Sequence, residues 1–119
     1  MGSFSFRGNL CADNGVLLLS DEIHADLIMD GSRHTCVGTL SQKIVDNTIL
    51  YFAPSKTFNL AGLVGSYSIV YDKWLQDRMA KEASLSHYND MNVLSMHALI
   101  AAYQPDGLLH PAQGQGQVH

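Results

Sequence analysis

The sequence predicts an α/β fold, in which apolar strands form a mostly parallel sheet with flanking helices. Three short apolar runs, at 16–19, 48–52 and 67–71, are each bounded by turn-forming or capping residues. Such runs are typical of strands that are buried on both faces. Two longer segments with helical character follow the third run. Strands that alternate with helices pair in parallel, and this order of elements predicts the fold class.

The first half of the chain supplies two of the strands. Its first ten residues show no clear period, and an Asn-Gly turn dipeptide precedes the first strand. The polar segment 30–36 is expected to be a loop, and 38–46 has room for one or two helical turns. Pro54 follows the second strand and ends it, because proline cannot continue a central strand.

The second half supplies the third strand and two helices. Asp72 is suited to cap an amphipathic helix over 73–86. Asp90 is suited to cap another helix over 91–103, which is apolar around most of its circumference and is expected to be buried. The Gly/Gln-rich segment 108–119 is predicted to be a disordered tail.

Composition indicates one folded domain, and residues 1–107 are predicted to form part of a larger body. The chain has 119 residues, of which 46% are hydrophobic and only 15% are charged. Three strands and two long helices are too few to cover both faces of such a sheet.

Eleven acidic against seven basic residues give a net charge of −4, which argues against a binder of nucleic-acid phosphates.

The lack of a recognisable membrane span or signal core, together with the cysteine content, predicts a cytoplasmic location. No apolar run reaches the 18 or so residues that a membrane span needs, and an apolar signal core is absent from the start. Cys11 and Cys36 cannot form a disulfide framework, so a reducing setting is expected.

Two segments carry residues suited to chemistry, and each follows a predicted strand. SDEIHADL spans 20–27, and APSKTFNLAGL spans 53–63. Ligands of open α/β sheets bind outside the carboxyl ends of the strands. Both segments are therefore expected to open onto one crevice, with Asp21, His24 and Lys56 within reach of one ligand.

The three side chains are chemically complementary to a pyridine aldehyde. A lysine partly removed from water loses its charge more readily and becomes a nucleophilic amine. A carboxylate holds a proton on a ring nitrogen through a charge-assisted hydrogen bond, and an imidazole can hydrogen-bond a ring oxygen. Lysine with aspartate is the recurring protein contribution to pyridoxal phosphate (PLP) chemistry.

Together the two motifs resemble the large domain of fold-type I PLP enzymes. The resemblance is narrower to the cystathionine β-lyase (C–S lyase) branch of the class I/II aminotransferase family. It runs from about Leu10 to Tyr103, and the spacing between Asp21 and Lys56 also fits the strand–helix–strand spacing of the family. The fold implied is a partial large domain of the PLP-dependent transferase fold, from a family whose complete members are homodimers.

The resemblance also implies a role for each motif residue. Lys56 is similar to the lysine that forms the Schiff base with PLP and then serves as general base. Asp21 is similar to the acid paired with the pyridine nitrogen, and His24 falls near the ring oxygen, where many aminotransferases carry tyrosine. Ser55 resembles a phosphate contact. The reaction implied is α,β-elimination from a sulfur-containing amino acid, giving a thiol, pyruvate and ammonia.

Two departures from the family pattern favour a lyase over an aminotransferase. Val64 stands where many aminotransferases carry an arginine for the phosphate, and Ala53 stands where a phosphate-binding hydroxyl is common. The upstream phosphate loop, the ring-stacking aromatic residue and the small domain with its substrate-binding arginine are not recognisable in the chain. An alternative is therefore a catalytically inactive fragment that associates with a full-length homologue, and an aminotransferase is a third.

Other polar groupings have simpler interpretations. A metal cluster is disfavoured, because neighbouring strand residues point to opposite faces and no ligand pair repeats at helical spacing; its candidates are Asp21, Glu22, His24, Asp26 and His34. Cys36 near His34 is expected to be structural rather than a catalytic thiol. His97 is expected to be a core histidine on the last helix, and Met79, Met91 and Met96 are expected to pack in the core.

Overall fold

The computed structural model describes residues 2–29, 31–63, 65–86 and 90–104. Within them, strands β1 (Leu18–Asp21), β2 (Thr48–Phe52) and β3 (Tyr67–Val70) form a sheet in the order β1-β2-β3. The β1 and β2 strands are parallel, with Leu18 opposite Thr48 and Asp21 opposite Tyr51. The helices are α1 (Gly2–Asp13), α2 (Gln42–Asp46), α3 (Pro54–Thr57), α4 (Lys73–Ser86) and α5 (Val93–Ala102), and a 3-10 turn covers Val37–Thr39.

These residues divide into two compact units. The first unit contains α1, β1, α2, α4 and most of β2 and β3, and consists of 2–22, 35–51, 68–86 and 90. The second unit contains α3 and α5, and consists of 23–29, 31–34, 52–63, 65–67 and 91–104. The tail predicted at 108–119 lies outside the described residues.

The predicted α/β fold is confirmed, but the strands are less covered than the sequence predicted. Strand β2 matches the predicted run, whereas β1 begins at Leu18 instead of at position 16. Leu19 is 61% exposed and Ile69 is 37% exposed, while Ile49 and Leu50 are buried. The prediction that β1 is buried on both faces is therefore wrong, because apolar composition records a preference for burial and not the presence of a covering element.

The core of the first unit is centred on the junction between α2 and β2. Ile44 and Thr48 are each 1% exposed, and Leu50 is 2% exposed. The Thr48 hydroxyl donates a hydrogen bond of 2.6 Å to the Ile44 carbonyl, which satisfies a polar side chain inside the core. Gly8 of α1 lies directly over Ile44, so the first helix is anchored by a close approach of its backbone.

Gly8→Ala is expected to destabilise the protein by about 1–3 kcal/mol, although alanine favours a helix over glycine by about 1 kcal/mol. A Cβ at Gly8 would lie 2.8, 2.9 and 3.1 Å from three side-chain atoms of Ile44, which is buried and has little room to move. Urea unfolding measures the effect. Gly62→Ala is the matched control, since a Cβ there meets nothing within 4 Å. A more stable Gly8→Ala variant would contradict the packing argument.

Helix α4 begins where the sequence predicts. The Asp72 carboxylate accepts a hydrogen bond of 2.8 Å from the Leu75 amide, which confirms the predicted cap. The Gln76 side chain donates to the Val70 carbonyl over 2.6 Å and ties the helix to β3. Every described residue of α4 is at least partly exposed, and Trp74 is 66% exposed with the Arg78 guanidinium 5.0 Å from its ring centre.

The predictions for the cap and the burial of the last helix are corrected by the structure. Asn92, not Asp90, caps α5: its side chain accepts a hydrogen bond of 2.9 Å from the Ser95 amide, because it directly precedes the first helical residue. The buried residues of α5 are Ser95 and Ala102, whereas Leu94 is 72% exposed, so the helix is not enclosed.

His97 is exposed and is not a core histidine. Two residues after Ser95, it faces roughly the opposite side of the helix from the covered stripe. The packing predicted for the methionines is also only partial: Met79 and Met91 are half-buried, but Met96 is 48% exposed.

In the described part of the chain, each helix is too short or too polar to cross a lipid bilayer.

Candidate functional site

Asp21 lies at the carboxyl end of β1, where the sequence predicted it. It is exposed and stands opposite Tyr51 in the parallel pair. The next amide, of Glu22, donates a hydrogen bond of 2.8 Å to the Tyr51 carbonyl and continues the pairing past the strand end. The carboxyl ends of β1 and β2 therefore meet at one edge of the sheet, as ligand sites of open α/β sheets require.

Glu22 is a buried carboxylate that sequence reasoning did not recognise as an anchor. It is 4% exposed, and its Oε1 accepts hydrogen bonds from the Ser20 hydroxyl (2.9 Å) and the Val37 amide (3.2 Å). The signal was present in the sequence: Leu18, Ser20 and Glu22 alternate along one face of the strand, while Asp21 takes the other. Glu22 thereby fixes the backbone on both sides of Asp21.

Cys36 lies beside Glu22 and is held as a neutral thiol. Burial raises the pKa of Cys36, and the charge and hydrogen bond of Glu22 raise it further against the opposing hydrogen bond from the Gly38 backbone. A raised pKa lowers the thiolate fraction at neutral pH, and the thiolate is the reactive form. These contacts agree with the structural role expected for Cys36 rather than with a catalytic thiol.

Lys56 is exposed on α3, a single helical turn that starts directly after β2. Pro54 occupies the first turn and is buried, and Phe58 is 8% exposed with its amide 2.9 Å from the Pro54 carbonyl. Ser55 is half-buried. Asn59 ends the turn with a φ of 54°, a left-handed conformation that asparagine tolerates. The chain is thus anchored on both sides of an amine that faces solvent.

His24 lies in a turn over 23–26, and this turn contacts α3. The Leu27 amide donates a hydrogen bond of 3.0 Å to the His24 carbonyl and closes the turn. The His24 side chain is exposed. The Thr57 hydroxyl donates 2.8 Å to Oδ2 of Asp26 in the same turn. Within the second unit, the structure therefore joins the segment that carries His24 to the segment that carries Ser55 and Lys56, while Asp21 belongs to the first unit.

An aromatic cluster packs against Phe58, which follows α3. The Phe58 ring meets Tyr103 edge-on at 5.2 Å, and Tyr67 stacks on Phe52 at 5.5 Å. Tyr67 also donates a hydrogen bond of 3.2 Å to the Tyr103 hydroxyl. Burial and Tyr67 raise the pKa of Tyr103, which therefore stays a neutral phenol at physiological pH. Sequence reasoning did not find this cluster, because its members are far apart along the chain.

A metal centre finds no support in the described ranges, where no three His, Cys, Asp or Glu side chains are grouped so as to hold a metal ion. The groups at the motif positions are instead an amine, a carboxylate, an imidazole and a hydroxyl: Lys56, Asp21, His24 and Ser55. This donor set suits an organic cofactor that carries an aldehyde, a ring nitrogen, a ring oxygen and a phosphate.

Comparison with proteins of known activity finds relatives among lyases and transaminases. The chain is 37% identical over 100 residues to cystathionine beta-lyase PatB of Bacillus subtilis. This match covers 84% of this chain and 26% of PatB. The chain is 36% identical over 62 residues to an asparagine–oxo-acid transaminase of Streptococcus mutans, covering 52% of this chain and 16% of that protein. No protein-family profile matches the chain.

Solved structures with the same fold include cystalysin and a C–S lyase, both of which contain PLP. Cystalysin from Treponema denticola, which contains PLP, matches with a TM-score of 0.72 and 33% identity over 80% of this chain and 24% of its own. A PLP-bound C–S lyase from Staphylococcus hominis matches with a TM-score of 0.65 and 34% identity, over 84% of this chain and 24% of its own. The chain spans about a quarter of the length of these relatives.

The fold is thus part of the PLP-dependent aminotransferase fold. Homologues and structural neighbours of this chain are members of the fold-type I family of PLP-dependent aminotransferases and C–S lyases, and the predicted resemblance is confirmed.

Proposed function

We propose that this chain is the lysine-bearing part of a PLP-dependent carbon–sulfur β-lyase, with residues 1–107 as its PLP-binding portion. The observation that carries the proposal is the presentation of Lys56: an exposed amine on an anchored turn directly after β2. The turn that holds His24 is hydrogen-bonded to the same helix. Identity to a cystathionine beta-lyase supports the lyase assignment.

Each motif residue has a distinct task in this proposal. When bound, PLP supplies the aldehyde that receives amines and the ring that withdraws electrons. Lys56 would hold the cofactor through its amine and would take the Cα proton of the substrate as general base. Asp21 would keep a proton on the ring nitrogen, His24 would hydrogen-bond the ring oxygen, and Ser55 would donate to the phosphate. The substrate is a sulfur-containing amino acid, and the products are a thiol, pyruvate and ammonia.

The enzyme is proposed to act in the cytoplasm as a homodimer: complete members of the family that it resembles are homodimers, and Cys11 and Cys36 are free cysteines, as a reducing setting requires. An aminotransferase is the second candidate, and the relatedness to a transaminase supports it. Val64 and Ala53, which replace common phosphate ligands of aminotransferases, favour the lyase. Pyruvate release from cystathionine, measured against amino transfer to a keto acid, separates the two activities.

A third candidate is an inactive chain that associates with a full-length homologue. Large apolar side chains on three elements support it: Phe6 of α1, Leu19 of β1 and Leu94 of α5 are each more than 60% exposed. Large exposed apolar side chains are available for contact with a partner.

Lys56→Ala is expected to abolish site-specific attachment of PLP. The wild-type chain is titrated with PLP, reduced with borohydride and mapped by peptide mass spectrometry, and the label is expected on the peptide that contains Lys56. Lys43→Ala is the matched control, because Lys43 is an exposed lysine that pairs with Asp13 and belongs to neither motif segment of the sequence. Equal labelling of wild type and Lys56→Ala would reject the proposed function.

A further inference from the structure

The helix that carries Lys56 is too short to keep its shape unaided. Helix α3 has four residues, whereas isolated helices shorter than about 12 residues are marginal in water. The conformation of α3 therefore depends on the contacts of its own and its flanking residues with the rest of the second unit.

Apolar burial anchors α3 but does not orient it. Pro54 is buried, and Phe58 packs edge-on against Tyr103 with ring centres 5.2 Å apart. The Leu60 amide donates a hydrogen bond of 3.0 Å to the Ser55 carbonyl and closes the chain past Lys56. Burial of apolar surface is non-directional, so the rotation of the turn depends on a directional contact.

The hydrogen bond from Thr57 to Asp26 is a contact of that kind. It measures 2.8 Å and joins the residue next to Lys56 to the turn that contains His24. That turn is itself closed by the hydrogen bond from the Leu27 amide to the His24 carbonyl. Asp26 also contributes to the electrostatic environment of Tyr103, whose ring packs edge-on against Phe58 at the end of α3. Asp26 is therefore linked to both supports of the Lys56 turn.

We infer that Asp26 is a positioning residue, which accepts the hydrogen bond of Thr57 and thereby holds the Lys56 helix against the His24 turn. The roles of Lys56 and His24 rest on the proposed function, whereas the contact between the two segments does not. Asp26 acts through Thr57 and is not assigned a contact with cofactor or substrate.

Matched variants isolate this hydrogen bond. Asp26→Ala and Thr57→Val remove it from either side, while Asp26→Asn and Thr57→Ser retain an acceptor and a hydroxyl. The first readout needs no cofactor: hydrogen exchange of the Leu60 amide, followed by NMR. Exchange is expected to be about fivefold faster in the two disrupting variants, as for loss of an ordinary hydrogen bond, and unchanged in the two conservative ones. The Glu22 amide of the first unit serves as the internal reference.

The second readout is the ratio of borohydride-fixed PLP at Lys56 to that at Lys43 in the same sample. The ratio is expected to fall about fivefold in both disrupting variants and to return in the conservative variants. In a combined Asp26→Ala/Thr57→Val variant, the labelling ratio is expected to fall no further than in either single variant, because both substitutions remove the same hydrogen bond. Loss of overall stability would not reproduce rescue by Asn and Ser.

The possible outcomes separate this inference from the proposed function. Unchanged Leu60 exchange in both disrupting variants would overturn the inference, and so would faster exchange with an unchanged labelling ratio. If the wild-type chain shows no preference for Lys56, the proposed function fails. The Leu60 exchange rates then decide by themselves whether Asp26 holds the helix.

Discussion

Glu22→Ala is expected to lower the free energy of unfolding by about 2–4 kcal/mol, because it leaves buried hydrogen-bond donors without their acceptor. The Glu22 carboxylate accepts from the Ser20 hydroxyl and the Val37 amide, and the residue is only 4% exposed. The lost volume adds a cavity beside Cys36. Urea unfolding followed by circular dichroism measures the change.

Glu22→Gln is the control for this variant, since an amide oxygen of the same shape can accept both hydrogen bonds. Its expected loss is about 1 kcal/mol, the difference between a charge-assisted and a neutral acceptor. Equal losses in the alanine and glutamine variants would contradict the hydrogen-bond argument and point to charge alone.

The same glutamine variant has an effect on Cys36. Burial is the first cause of the raised pKa of Cys36 and remains in place, but the charge of Glu22, which also raises it, is removed. The pKa therefore falls towards its ordinary value, the thiolate fraction at pH 8 grows, and iodoacetamide reacts faster. A Cys11→Ser background confines the measurement to Cys36.

Asp21→Asn is expected to weaken the retention of PLP by roughly 10- to 100-fold, and this is the second large effect. An amide in place of the carboxylate loses the charge-assisted hydrogen bond to the protonated ring nitrogen, a loss of about 1.5–3 kcal/mol. The dissociation constant is measured by absorbance titration with PLP.

Asp46→Asn provides the matched control, because Asp46 is an exposed carboxylate of α2 whose partner, Gln42, can also donate to an amide oxygen. An Asp21→Asn chain that retains PLP as well as the Asp46→Asn chain would show that Asp21 does not serve the ring nitrogen.

Several elements could be predicted because their signals are local. The Asp72 cap and the helix after it depend on residues only a few positions apart, and the structure reproduces both. Strand β2 is bounded as predicted, since its apolar run ends before Pro54. The choice of Asp90 over Asn92 as a cap was wrong for an equally local reason: both are good capping residues, and which one bonds the Ser95 amide depends on where the helix begins.

The residue pattern did not predict helix α1, because the contact that anchors this helix is with a distant part of the chain. Most of its residues are exposed, so no apolar stripe marks it in the sequence. The close approach of Gly8 to Ile44 anchors the helix in place of an apolar stripe. His97 illustrates the opposite case, in which apolar neighbours in sequence suggested a core position that α5 does not provide.

The sequence by itself determined the α/β class, the two motifs and the family to which they lead, because residue type and short-range spacing carry that information. Only the tertiary structure decided which side chains support those motifs. Glu22 is buried beside Val37, and Asp26 bonds Thr57. The physical reason is that a buried charge or a long-range hydrogen bond depends on segments that meet only after folding, and no periodicity within one segment encodes its partner in another.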